Sequence, residues 1–325
     1  MTKPFLWGII GPGRIAHRFA QALAHSGCGN LHAVASRNQD RARSFAQQYN
    51  AAVYYDNYQQ MIADPEIDGI YIATPHNFHF DAAKRCLEAG KPVLCEKPLT
   101  VNTAQTQRLI ELAQQHQTFL MEALWTRMLP VYQQVRQWLD SNAIGDVKLV
   151  QSNFGFCIDR NQEDRLLNPE LAGGVLLDMG VYNLSMSDWV YGRGPISTQV
   201  TGMIGDTGVD ELMAVNLDFG HGQFGQFTCN FLCKTDNHLT IYGSKGHIRV
   251  DQMFWDTGRA KLVVEQQPDV EFDQPYDASG FEYQIMEAER CIRAGWLESP
   301  EIPHATTLRT VEAIDRLRTL VGLPK

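Results

Sequence analysis

An apolar run, Phe5-Leu6-Trp7-Gly8-Ile9-Ile10, passes directly into Gly11-Pro12-Gly13-Arg14-Ile15-Ala16. No other feature constrains the chain as strongly. It reads as a buried strand that feeds a glycine loop and then a helix, and that context raises Gly-x-Gly-x-x-Ala above a chance match. A second run, Lys91-Pro92-Val93-Leu94-Cys95, is a short strand ending on Glu96-Lys97-Pro98. In an open parallel sheet ligands bind outside the carboxyl ends of the strands. The glycine loop and Lys97 both sit at such ends.

The alternation continues between and beyond these points. Leu31–Ser36 reads as a strand and Gln39–Tyr49 as a helix; Asp68–Ala73 is a strand and Phe80–Ala89 a helix stopped by Gly90. Pro92–Cys95 is the next strand, Val101–His116 a helix with Asn102 as its N-cap, and Thr118–Met121 a further strand. Strands alternating with helices imply a doubly wound α/β sheet of the Rossmann kind. The character changes near Asp146. Longer β-rich runs follow at Val147–Phe156, Ser197–Ile204, Met213–Phe219, Gly225–Phe231, Leu239–Tyr242 and Gly246–Val250, with Phe219-Gly220-His221-Gly222 as a hairpin connection. Helices are expected near Gly173–Val190, Ser279–Ala294 and Thr307–Leu320. The sequence thus predicts a nucleotide-binding Rossmann domain over 1–123. An α+β domain with an open, mostly antiparallel sheet is expected over 124–325, its C-terminal helix able to pack back on the first domain.

Composition excludes some functions. A formal net charge of −9 in 325 residues argues against a nucleic-acid partner, which wants a basic face. No apolar run approaches the ~18 residues of a membrane helix, and Met1-Thr2-Lys3-Pro4 shows no signal-peptide h-region, so no leader is expected. Seven cysteines without a CxxC pair fit reduced thiols, and a cytoplasmic location is expected. Cys229 and Cys233 are read as core residues on one face of a strand. The ten histidines show no metal-ligand spacing, so no metal is expected.

The glycine loop points to a dinucleotide. Gly11 allows a tight turn, Gly13 lets backbone approach a pyrophosphate, and Ala16 permits close helix–sheet packing. The helix start at Arg14 and Ile15 offers unpaired N–H groups to phosphate. About 20 residues past the glycines an NAD-binding chain carries Asp or Glu for the ribose hydroxyls. Here the second strand ends in Ser36-Arg37-Asn38, without a carboxylate until Asp40. A hydroxyl and a guanidinium suit a 2′-phosphate, so NADP(H) is the expected cofactor. Thr74, Pro75, His76 and Asn77 follow another strand and should border the nicotinamide, as should Glu96 and Lys97. His79 is read as structural.

One more segment completes the pattern. Gly173-Gly174-Val175-Leu176-Leu177-Asp178-Met179-Gly180-Val181-Tyr182 reads as a helix start with Asp178 and Tyr182 on one face. The glycine pair permits close approach of another element. The glycine loop, Glu-Lys-Pro and this segment, in that order over nearly the whole chain, resemble the Gfo/Idh/MocA oxidoreductases, named for glucose–fructose oxidoreductase and inositol dehydrogenase. Many members end the last motif in His, where this chain has Tyr182. With Met121-Glu122-Ala123-Leu124-Trp125-Thr126-Arg127 it is most similar to the branch of dimeric dihydrodiol dehydrogenases and NADP-dependent D-xylose dehydrogenases.

The resemblance implies an NADP-dependent dehydrogenase acting on a secondary carbinol of a cyclic diol, polyol or aldose. Oxidising such an alcohol needs a base for the hydroxyl proton while hydride leaves. Tyrosine, with an ordinary pKa of about 10, becomes a better base beside a lysine ammonium. Tyr182 is therefore assigned as acid/base, Lys97 as electrostatic partner and hydroxyl anchor, and Asp178 as orienting group; the converse, Lys97 as proton carrier, stays open. Trp125, Phe154, Trp255 and Phe281 are expected to meet over the nicotinamide as walls for a small-molecule ring. A homodimer through the second sheet is expected, because an outer face of Val, Leu, Phe and Tyr must be covered. Rival readings are an NAD-dependent sugar or inositol dehydrogenase and a non-catalytic NADP-binding sensor or scaffold.

Overall fold

The computed structural model describes residues 3–27 and 29–323. The chain forms two compact units. One runs to Trp125 and resumes over Tyr276–His304; the other holds Thr126–Pro275 and the chain from Ala305 onward.

The first unit is built on a six-stranded parallel sheet: β1 (Leu6–Ile10), β2 (Asn30–Ala35), β3 (Val53–Tyr55), β4 (Gly69–Ile72), β5 (Val93–Glu96) and β6 (Leu120–Ala123), in the order β3-β2-β1-β4-β5-β6. Strands β4, β5 and β6 are buried along their whole length, as expected of parallel strands covered on both faces. The order reverses between β1 and β4, and a crevice opens at that switch point. Asn102 caps helix Thr103–Gln115 as expected, accepting from the Gln105 N–H. Strand β3 and helix Tyr58–Ile62 were not anticipated; three and five residues are too few for periodicity to show.

The expected boundary needs correction. Helix Phe281–Arg293 belongs to the first unit, where it packs beside helix Arg14–Ser26, and the last helix, His304–Leu320, lies almost wholly in the second. Trp7 Nε1 donates to Glu289 Oε1 at 2.8 Å, and Arg18 donates to the Ser279 carbonyl. The apolar face of Phe281, Ile285, Ala288 and Cys291 is buried, but an amphipathic face does not name the core that receives it.

The second unit carries an eight-stranded sheet of β7 (Val147–Gly155), β8 (Ser197–Ile204), β9 (Asp210–Gly220), β10 (Gln223–Asn230), β11 (Leu239–Gly243), β12 (Gly246–Val250), β13 (Arg259–Val264) and β14 (Val270–Asp273). The order is β14-β13-β12-β11-β7-β10-β9-β8, antiparallel except for the parallel pair β7–β10. The β9–β10 hairpin turns through Gly220, His221 and Gly222, all at positive φ. Strands β13 and β14 and helix Pro130–Asp140 went unread.

One face of this sheet buries Val150, Phe154, Met213, Val215, Leu217, Phe227 and Cys229. The other face differs from expectation. Its centre is a polar ladder, Gln151 Nε2 to Gln226 Oε1 at 2.7 Å and Gln226 Nε2 to Asn216 Oδ1 at 3.1 Å. Phe224 and Tyr242 stand on that face toward one end. Cys229 is buried in β10, but Cys233 lies past its end and is exposed, so the two do not share a strand face. Among the described residues no helix is long and apolar enough to cross a membrane.

Candidate functional site

The glycine loop is shaped by close approach. Gly11 has φ +88°, and a Cβ there would lie 2.9 Å from Thr74 Cγ2 and 3.0 Å from Thr74 N. Gly13, extended at φ −93° and ψ −173°, is the N-cap of helix Arg14–Ser26, and no side chain caps that helix. Its first turn carries no acidic residue, and the positive end of a helix start favours an anion. Ala16 is fully buried beneath the helix, as its packing role requires.

Beside the loop lies a cavity of about 730 Å³. Its wall brings together Gly11, Gly13, Ser36, Arg37, Thr74 and Pro75 from the expected set. It also includes residues the sequence reading missed, among them Asn38, Arg41, Tyr58, Phe78, Asp81 and Arg85. Arg41 was findable, since it stands one helical turn beyond Arg37; Tyr58 was hidden with the unread β3. The Arg37 guanidinium sits 4.8 Å from the Phe78 ring centre. Burial pushes the Tyr58 hydroxyl above its ordinary pKa, and the neighbouring Arg37 pulls it partly back. The Thr74 Oγ1 on this wall is buried without a hydrogen-bond partner. An uncapped helix start, an orphaned hydroxyl and a Ser–Arg pair in place of a carboxylate fit a phosphorylated dinucleotide.

The rest of the expected cofactor set lies off this wall. Arg14 borders an adjoining hollow with Gly13 and Arg41. Glu96, expected at the cofactor, is buried and accepts the Tyr71 hydroxyl proton instead. Glu122 Oε1 accepts from the Leu99 N–H at 2.9 Å, so the Lys97-Pro98 turn, a cis peptide, is tethered on both sides. His79 adds a third tether. Its Nδ1 is 2.9 Å from the Pro98 carbonyl and its Nε2 is 2.8 Å from the Thr74 carbonyl. Carbonyls only accept, so both contacts are hydrogen bonds when the ring carries two protons. His79 thereby links the cavity wall to the Lys97 turn, and its neighbour His76 is likewise buried.

The four expected aromatic walls form two pairs, one in each unit. In the first, Trp125 and Phe281 meet at 5.0 Å, and the Arg18 guanidinium covers both rings at 4.4 and 4.7 Å. In the second, Phe154 and Trp255 stack at 3.5 Å with 5° between planes, and Phe154 meets the Tyr182 ring at 5.7 Å.

Asp178 lies in a π-turn, Leu176–Gly180, that runs into helix Val181–Tyr191. Such turns are frequent at functional sites. Arg165 Nη2 donates to Asp178 Oδ1 at 3.0 Å, a pairing that no local sequence pattern reveals. The glycine pair accounts for it in part. A Cβ on Gly173 would stand 2.7 Å from the Leu166 carbonyl and 2.8 Å from that of Arg165, so only glycine lets this loop lie against the turn. The second unit thus offers a carboxylate, a phenol and flat apolar walls, groups suited to holding hydroxyls on a ring.

Comparison with known proteins finds relatives along nearly the whole chain. A family model described as GFO_IDH_MocA, oxidoreductase family, NAD-binding Rossmann fold, matches residues 5–124, and the GFO/IDH/MocA C-terminal domain matches 132–249. Trans-1,2-dihydrobenzene-1,2-diol dehydrogenase of Xenopus laevis is 35% identical, covering 98% of each chain. That of Homo sapiens is 32% identical over 98% of this chain and 97% of its own. A 3-ketoreductase from Actinomadura kijaniata, solved with NADP and TDP-benzene, superposes with TM-score 0.86 at 25% identity, covering 99% of this chain and 98% of its own. An aldose-aldose oxidoreductase from Caulobacter crescentus shares the fold at TM-score 0.89 and 23% identity, over 98% and 97% of the two chains.

Proposed function

The chain belongs to the GFO/IDH/MocA oxidoreductase family, and from that premise we propose that it is an NADP-dependent dehydrogenase. It moves hydride between a secondary carbinol of a cyclic diol, polyol or aldose and the nicotinamide. The observation that carries the cofactor preference is the end of β2, where Ser36 and Arg37 stand on the cavity wall with Arg41 and no carboxylate follows until Asp40. The relatives named as dihydrodiol dehydrogenases and the ketoreductase solved with NADP support it.

When bound, the nicotinamide supplies the hydride acceptor. Tyr182 takes the hydroxyl proton as the carbinol hydrogen leaves with its electron pair, and returns it in the reverse direction. Lys97, on its tethered turn, anchors the hydroxyl and favours the developing alkoxide. Asp178, steadied by Arg165, orients the substrate through a neighbouring hydroxyl. The aromatic rings give the ring substrate its apolar walls. We also propose a homodimer through the open face of the second sheet, where Phe224 is 49% and Tyr242 37% exposed beside the glutamine ladder. Light scattering at micromolar concentration should give twice the chain mass, and a monomer refutes it.

The test of function is a panel of cyclic diols, polyols and aldoses offered with NADP and with NAD, followed by reduced-nicotinamide absorbance. Charge-assisted bonds contribute about 1.5–3 kcal/mol each, so at least about tenfold preference for NADP is expected. Arg37→Asp should reverse it. Equal use of NAD, or no turnover across the panel, would overturn the reading.

A further inference from the structure

Asp210, the first residue of β9, is 3% exposed, and its carboxylate is turned onto the start of the segment that bears Asp178 and Tyr182. Its Oδ2 accepts from the Leu176 N–H at 2.6 Å, and the Val175 N–H also bonds to it. Gly174 has φ +118°, and a Cβ there would fall 2.3 Å from Asp210 Oδ1. The carboxylate therefore occupies the space that any other residue at 174 would fill. It meets N–H groups that a helix start leaves unsatisfied, at the end where negative charge is favoured.

Two short paths lead from this contact to the reactive side chains. Gly174, held against the carboxylate, accepts from the Asp178 N–H at 3.3 Å. Leu176, bonded to it, accepts through its own carbonyl from the Val181 N–H, which precedes Tyr182. The strand end is itself fixed: Asp210 pairs with Ile204 on β8, and the next carbonyl, Glu211, accepts from the Phe231 N–H at 2.8 Å. Burial pushes the Asp210 carboxyl above its ordinary pKa, against the pull of those N–H groups.

We propose that Asp210 is a positioning residue for the chemistry assigned above, fixing the π-turn and with it the placement of Asp178 and Tyr182 relative to the sheet. The inference rests on the proposed function only for its kinetic readout.

Asp210→Asn keeps one acceptor and puts an amide NH₂ toward the second N–H. A displacement of ~1 Å can cost about 10²-fold in rate, so kcat should fall about 10- to 100-fold. KM and the Kd for NADPH, titrated by fluorescence at full stoichiometry, should stay within about twofold. A merely structural loss would lower the melting temperature or the active fraction and leave kcat per active site unchanged. Gly174→Ala disturbs the same contact from the other side and is read in the same way if Asp210→Asn does not fold. Because both act on one contact, the double variant should be no worse than the weaker single, whereas multiplied losses refute the link. Hydrogen exchange at the 175–181 amides should quicken in Asp210→Asn. A wild-type kcat, or unchanged exchange, overturns the proposal. Absence of wild-type turnover would instead defeat the functional reading, with the exchange experiment still deciding the anchoring.

Discussion

Gly11 and Gly13 stand two residues apart in one loop, and their geometry predicts opposite consequences for the same substitution. At Gly11, alanine would have to hold φ near +88° with its Cβ 2.9 Å from Thr74 Cγ2, 3.0 Å from Thr74 N and 3.1 Å from Ala73 C. A left-handed conformation costs a side-chain residue about 1–2 kcal/mol. Overpacking against backbone that must move adds about 1–3 kcal/mol. Together, about 2–5 kcal/mol should lower the melting temperature by at least ~4 °C at 2–4 °C per kcal/mol. At Gly13 the backbone is extended and the nearest atom to a Cβ is the Ala73 carbonyl oxygen at 3.8 Å. Alanine there displaces nothing and forfeits only the N-cap preference, about 0.5–1 kcal/mol. Its methyl instead stands where phosphate must meet the helix N–H groups, and a loss of about tenfold or more in NADPH affinity is expected, ~1.4 kcal/mol. The assays are a ligand-free melt and an NADPH fluorescence titration on both variants. The reasoning fails if Gly13→Ala melts below Gly11→Ala, or if it binds NADPH as tightly as the parent.

Lys97→Met and Tyr182→Phe should each lower kcat by about 10² or more with NADPH affinity nearly intact, and a variant keeping over a tenth of the rate would lose its assigned role. Glu289 is pushed above its ordinary pKa by burial, partly offset by the Trp7 N–H, so its stability contribution is present below the unfolded-state pKa and lost as pH rises through the folded one. Glu289→Gln keeps an acceptor for Trp7 and cannot ionise, so it should match the parent near pH 4 and exceed it near ~pH 8 in thermal melts; a less stable variant at the higher pH refutes this. Arg309 holds the buried Asp188 carboxylate at 2.7 and 3.0 Å, and Arg127 remains 3.6 Å from it. Arg309 is about a third exposed, so Arg309→Met should cost about 1.5–2 kcal/mol in urea unfolding, and no change in midpoint would show the pair to be idle.

What the sequence determined by itself was governed by near neighbours. The glycine loop, the Ser36-Arg37 strand end, the Asn102 cap and the β9–β10 turn each follow from backbone freedom or hydrogen bonding within a few residues, and the structure has all of them. Six of the seventeen residues on the cofactor wall were legible for that reason. The rest were not, since Tyr58 follows a three-residue strand; and Glu96, expected at the cofactor, turns inward to Tyr71, a residue 25 positions away. Tertiary structure alone decided that helix Phe281–Arg293 returns to the first core, because an apolar face fits any core of matching shape. It alone set Arg165 on Asp178 and Asp210 on Gly174. In the sequence those are an ordinary loop arginine and a strand-end aspartate. What makes them matter is close packing, which brings a carboxylate to the one place where a missing Cβ leaves room.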